Sequence, residues 1–202
     1  MKFRESGING AFFVAGDPRR DGTTGQTRLF CARSFLEHGL DARVGHSAIG
    51  RVTRRGTLRG MHMERGETKL VRCLAGKIFH VLIDLRESSR TFGKWEGSIL
   101  KEDDERAVYV PPGIAYGFQA LTSDVVLLTQ LSGPGDGGVF GVRWDDPYFG
   151  ISWPISEAVV SQRDAAFAPF EREQLAAMLV STSKLPAPPP SLPRPALALD
   201  IP

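Results

Sequence analysis

An all-β domain of sandwich or barrel type, with short helices only at its margins, is the fold class this sequence predicts. Three observations carry that reading. Between Leu70 and Thr129 the chain runs in short apolar segments rich in Val, Ile, Leu and Phe. Gly, Pro and charged residues punctuate those segments at short intervals, as turns between strands do. Apolar residues at helical spacing occur only outside this region. Short strands with regular turns suit a sandwich or barrel.

In chain order the first expected element is a helix from Ala32 to His38, ended by Gly39, a residue suited to the left-handed C-cap. Gly56-Thr-Leu-Arg-Gly-Met-His62 reads as an arginine-bearing strand that His62 closes. Strands follow at Lys69 to Leu74 and Lys77 to Leu85, with Ala75-Gly76 expected as a tight hairpin turn between them. Further strands are expected at Trp95 to Leu100, Ala107 to Val110, Gly117 to Leu121 and Val125 to Gln130. Pro111-Pro112-Gly113 breaks the chain before the fifth of these six. A second helix is expected from Glu171 to Leu179. After Lys184 a run of six prolines in eleven residues excludes helix and central strand, leaving an extended tail, read as a flexible end in preference to a partner-binding arm. The organisation expected is one domain over residues 1–180 and a Pro-rich tail over 181–202.

At 202 residues the chain is long enough for one self-sufficient core and short for two. Its arginines are scattered among acids and the formal net charge is only +2, so the basic footprint of a nucleic-acid binder is missing. No segment approaches the roughly 18 apolar residues of a membrane span, and the start lacks the apolar stretch of a secretory signal. A cytoplasmic location is the expectation. Cys31 and Cys73, far apart and without partners at metal-ligand spacing, are expected as reduced thiols.

Among four histidines, His62 has the most chemical weight. An imidazole with an ordinary pKa near 6.5 can accept a proton at neutral pH, and Arg59 beside it could hold an anionic or oxygen-rich substrate. Alone, a histidine at a strand end is more often structural or merely exposed.

A series of segments in fixed order sharpens this. They are Gly56-Thr-Leu-Arg-Gly-Met-His62, Lys69-Leu-Val-Arg-Cys73, Gly76-Lys-Ile-Phe79, Asp84-Leu-Arg86 and Ser88-Ser-Arg-Thr-Phe-Gly-Lys-Trp95. Val110-Pro-Pro-Gly-Ile-Ala-Tyr-Gly-Phe118, Val142-Arg-Trp-Asp-Asp-Pro147, Ile151-Ser-Trp-Pro154 and Val160-Ser-Gln-Arg-Asp164 complete the set. Spanning about half the chain, they resemble the dTDP-4-dehydrorhamnose 3,5-epimerase family. The resemblance implies a cupin-type double-stranded β-helix, or jelly-roll barrel, a homodimer, and a nucleotide-sugar substrate inverted beside its ketone without metal or cofactor. It also implies roles: His62 as base, Asp164 as the carboxylate paired with it, Lys69 as stabiliser of the enolate oxygen, and Arg59 on substrate. Without the resemblance, Asp164 would read as a helix N-cap and Lys69 as a solvated strand charge.

The chain also departs from the family. The proton-donating tyrosine of the family aligns with Leu128, and the glycine-rich segment Ser132 to Gly138 has no aromatic where the family has one. His80 and Tyr116 stand where the family has an aspartate and a histidine. One reading makes Tyr116, hydrogen-bonded to His80, the replacement proton donor; the other makes the two a buried pair without chemical role. Arg28 and Arg51 could take phosphates in an altered nucleotide cradle, though each is more often an ordinary surface charge. A metal-dependent cupin is disfavoured, because Tyr116 stands where a ligand histidine belongs, although His62, His80 and a carboxylate remain conceivable ligands. Two functions follow: a cofactor-independent epimerase or isomerase of a 4-keto-6-deoxy sugar nucleotide, acting on C3, C5 or both, or a non-catalytic sugar-nucleotide-binding or scaffolding cupin.

Overall fold

The structure, a computed structural model, describes residues 1–20, 25–135 and 139–171. The Pro-rich tail and all but the first residue of the helix expected from Glu171 to Leu179 lie outside the described residues. Strands β1 (Lys2–Glu5), β2 (Phe12–Ala15), β3 (Asp17–Arg20) and β4 (Gly25–Arg28) precede helix α1 (Ala32–Glu37). β5 (His46–Val52), β6 (Thr57–Glu64), β7 (Lys69–Ala75), β8 (Lys77–Asp84) and β9 (Trp95–Lys101) follow. The described residues end with β10 (Arg106–Val110), β11 (Ile114–Ala120), β12 (Val125–Leu131), β13 (Val139–Gly141), β14 (Val159–Val160) and helix α2 (Gln162–Ala165).

Two sheets face one another. One has the order β1-β2-β10-β7-β12-β5, and the other runs β13-β6-β11-β8-β9 with β14 beside β6. All pairings are antiparallel except the short β14–β6 contact. From β5 to β8, and again from β9 to β13, successive strands alternate between the sheets, which makes the barrel a jelly roll. Gly76 is where this corrects the sequence reading. Its φ of +75° gives the tight turn expected, but β7 and β8 do not pair with each other and enter different sheets. The turn is a corner of the barrel and not a hairpin.

The six strands expected between Lys69 and Gln130 are all present. The largest difference is β11, which starts at Ile114 and not Gly117, because Pro111-Pro112-Gly113 completes its turn and Ile114 pairs at once with Asp84 of β8. His62 lies inside β6 and does not close it; the strand continues through Glu64.

Side-chain alternation divides the apolar residues into three packed sets. Val71, Cys73, Ile78, Leu82, Val108, Val110, Ile114 and Leu127 fill the space between the sheets. Met61, Met63, Val81, Ile83 and Ala115 face the other way, covered by Val142, Phe149, Trp153 and Phe170 as the chain wraps behind its sheet. Behind the other sheet, Phe35 of α1, 1% exposed, packs on Val14, Leu70 and Tyr109. Truncating a ring so enclosed costs about 3–5 kcal/mol. Cys31 and Cys73 are free thiols, and burial pushes the Cys73 thiol up to about 11, so it stays protonated. Among the described residues no helix is long and apolar enough to cross a membrane.

Candidate active site

β6 carries the site because its face changes midway. His62 lies opposite Tyr116 of β11, and Arg59 opposite Phe118, with a register shift between the two pairs. Residues three apart on one strand normally face opposite sides, but this irregularity brings both Arg59 and His62 to the barrel interior. Gly60 makes the crossing possible. Its φ is +133°, and a Cβ there would lie 2.6 Å from the Gly117 Cα. Its N–H donates to Asp164 Oδ2 at 3.1 Å.

Asp164 reaches this point from α2. The chain behind the sheet rounds its edge as β14, Ser161 caps α2 by accepting the Asp164 N–H at 3.1 Å, and the Asp164 carboxylate is left free of capping duty. The side chain is fully buried, and Oδ1 lies 2.9 Å from His62 Nε2. Arg163 also donates to Oδ1 at 3.2 Å. Burial alone would raise the Asp164 pKa, but His62, the Gly60 N–H and Arg163 outweigh it and hold the carboxylate below its ordinary range. For His62 burial dominates and lowers the pKa, with Asp164 opposing it. The imidazole is therefore neutral at pH 7. With its Nε2–H directed to Asp164, Nδ1 is the nitrogen free to accept a proton.

The opposite wall belongs to the other sheet. Lys69 of β7, His62, Glu64, Glu67, Ile114 and Tyr116 line one pocket. Lys69 Nζ makes an ion pair of 2.6 Å with Glu64 and sits 5.6 Å from the centre of the Tyr116 ring. A cation so placed faces any oxygen on which negative charge develops when a carbon beside a ketone loses its proton. Phe167 abuts His62 edge-on at 5.9 Å, and Gly141, directly across from His62 on β13, leaves room for that ring.

His62, Asp164, Lys69 and Tyr116 are thus brought together. The expected hydrogen bond between Tyr116 and His80 is not made. His80 pairs with Ser98 at 2.8 Å, its ring is parallel to that of Tyr116 with centroids 6.2 Å apart, and the Tyr116 hydroxyl is buried without a partner among the described residues. The two residues are two positions out of register, since His80 lies across from Phe118 and Tyr116 across from Leu82. Burial pushes the phenol well above its usual value and pushes His80 down to about 3, so both stay neutral. Arg59 shares the interior face, but its guanidinium donates to the Leu58 carbonyl at 3.0 Å. Arg28 is exposed at the end of β4, and Arg51 is exposed on the outer face of β5 with Ile49. Leu128 also faces outward, across from Arg72; the interior side chains of β12 at that level are Leu127 and Thr129. Glu64, Glu67 and Arg163 line or touch the site without having been expected there. Strand alternation two residues beyond His62 was a usable signal for Glu64 alone. Among the described residues no three His, Cys, Asp or Glu side chains converge as a metal site.

The family model for dTDP-4-dehydrorhamnose 3,5-epimerase matches residues 5–172. The chain belongs to this family. It is 32% identical over 178 residues to the dTDP-4-dehydrorhamnose 3,5-epimerase of Methanothermobacter thermautotrophicus, covering 84% of this chain and 95% of that one. It is 34% identical over 169 residues to the dTDP-4-dehydrorhamnose 3-epimerase of Streptomyces niveus, covering 81% of each. Among solved structures it resembles a 4-keto-6-deoxy sugar epimerase from the novobiocin biosynthetic gene cluster of Streptomyces spheroides. That match has a TM-score of 0.82 and 31% identity, covering 90% of this chain and 94% of that one.

Proposed function

We propose that this protein is an epimerase of a dTDP-linked 4-keto-6-deoxy sugar, working by proton removal and return beside the ketone. The observation that carries the reading is the His62–Asp164 pair, 2.9 Å apart, in one pocket with Lys69. Hydrogens on carbons flanking a ketone are weakly acidic. His62 Nδ1 removes one, Asp164 stabilises the imidazolium that forms, and Lys69 meets the enolate oxygen. Arg59 turns from the Leu58 carbonyl to the substrate. Arg28 and Arg51, exposed away from this pocket, take no part in proton transfer.

The family membership supports the substrate class, and relatives named for one epimerised carbon or two leave both outcomes open to one experiment. The protein is incubated in deuterated water with a dTDP-linked 4-keto-6-deoxy sugar, and deuterium at C3 and C5 is counted by mass spectrometry. Two deuterons are expected of a double epimerase and one of a single-site enzyme. No incorporation would sink the reading and leave a binding cupin, the alternative that the loss of any tyrosine from β12 favours. We further propose a homodimer. Among the described residues β5 ends its sheet with an unpaired edge, and Ile49 is 58% exposed, a surface suited to a second copy. A monomeric mass by light scattering at micromolar concentration would contradict it.

A further inference from the structure

We propose that Glu67 returns the proton to the substrate carbon on the face opposite His62, taking the part that a tyrosine of β12 plays in the family. The assignment rests on the epimerase reading above. β12 has no tyrosine, and its interior side chains Val125, Leu127, Thr129 and Leu131 include no group that can serve as an acid near neutral pH.

Glu67 stands where such a group is needed. It lies in the connection from β6 to β7, and its Oε1 accepts the Gly135 N–H at 3.2 Å, which ties it to the segment leaving β12. His62 belongs to one sheet; Glu67 is anchored beside the other, next to Lys69. The glycine-rich rim is shaped around it. A Cβ on Gly133 would lie 2.4 Å from Glu67 Oε1, so the absence of a side chain at that point is what admits the carboxyl group. Glu67 Oε2 is buried and has no hydrogen-bond partner among the described residues, although Glu67 lines the pocket that holds His62 and Lys69. A buried oxygen of this kind has unspent hydrogen-bonding capacity directed to whatever fills the pocket.

The other candidates are less suited. Glu64 is on the same strand as His62, two residues along on the same face, and is bound to Lys69 at 2.6 Å as an ion pair. Tyr116 lines the same pocket but lies directly across from His62 on the neighbouring strand of the same sheet, so it meets the substrate from the His62 side.

The step balances without any co-reactant. His62 takes the carbon-bound proton, and the electron pair of that bond moves to form an enolate whose oxygen faces Lys69. The carbonyl re-forms as the carbon takes a proton from the Glu67 carboxyl on the other face. Imidazolium and carboxylate remain, and both return to their starting states by proton exchange with water.

The test separates proton removal from inversion. Wild type, Glu67→Gln and Glu67→Asp are incubated with a dTDP-linked 4-keto-6-deoxy sugar in deuterated water, and deuterium is measured separately in recovered substrate and in inverted product. Glu67→Gln is expected to lose inversion by about 10²–10⁴-fold while wash-in to the uninverted sugar stays within about tenfold of wild type. Glu67→Asp, which keeps the acid on a shorter arm, is expected to recover part of the inversion and reads the same split if the Gln variant does not fold. Inversion at the wild-type rate in Glu67→Gln, or wash-in and inversion falling together in both variants, would overturn the assignment. Wild type that neither exchanges nor inverts would instead overturn the epimerase reading itself.

Discussion

The two walls of the pocket are built in different ways. His62 sits in the middle of β6, paired across to Tyr116 on one side and Gly141 on the other, and its carboxylate partner is fixed by the Gly60 N–H and an α2 capped by Ser161. Glu67, which lines the same pocket, hangs from a connection and among the described residues accepts the backbone N–H of Gly135 in a glycine-rich rim. A group fixed by strand register cannot move without disturbing the barrel, whereas a loop-borne group can be exchanged while the fold persists. His62 and Asp164 match the residues that the resemblance implies, as does Lys69 on the facing wall, whereas β12 and its glycine-rich rim depart from it.

The largest blow to the strand-borne half is His62→Asn, expected to lower kcat/KM by at least about 10³-fold with the melting temperature little changed. A fall of less than tenfold would take the base out of β6 altogether. Asp164→Asn comes next, with a loss of about 10²-fold. It also removes the group that raises the His62 pKa, so the pH profile sharpens the comparison. His62 must be neutral to act and is held below its ordinary value of about 6.5, so kcat/KM should rise through a pKa below 6.5 as His62 loses its proton. In Asp164→Asn that rising limb should move to lower pH; a shift upward would contradict the geometry.

Stability gives a smaller contrast. His80, buried behind the site and depressed to about 3, binds no proton in the folded state until far below the value of about 6.5 it regains on unfolding. Its contribution is present above pH 6.5 and is lost as pH falls toward 3, by up to about 1.4 kcal/mol per pH unit. Denaturant titrations of wild type and His80→Gln between pH 4 and 7 should show a shallower slope in the variant. The smallest effect is expected from Tyr116→Phe. Removing a buried hydroxyl that has no partner among the described residues should leave turnover within about twofold and stability equal or higher. A hundredfold loss would return the acid role to Tyr116.

Much of this was legible in the sequence, for identifiable reasons. β7, β8, β9, β10 and β12 announce themselves because β-branched and apolar residues cluster between turn formers. β1 to β4, at four residues each, are too short to display a period. Gly76 shows what turn chemistry can and cannot tell: it specifies a conformation, not which strands pair across it. Arg51 and Leu128 show the same limit for strand faces, since a displacement of one residue sends a side chain to the other side of the sheet. His62, Lys69 and Asp164 were legible as a set through ordered motifs around them. Glu67 was not, because the destination of a loop side chain depends on a contact, here with Gly135, that no local pattern encodes.

In the proposed mechanism His62 is the group that removes the substrate proton. The most direct test compares deuterium wash-in at the carbons beside the ketone for wild type and folded His62→Asn, by NMR in deuterated water. Exchange in wild type and none above the uncatalysed rate in the variant is the predicted result; exchange that persists in His62→Asn at a comparable rate would contradict it.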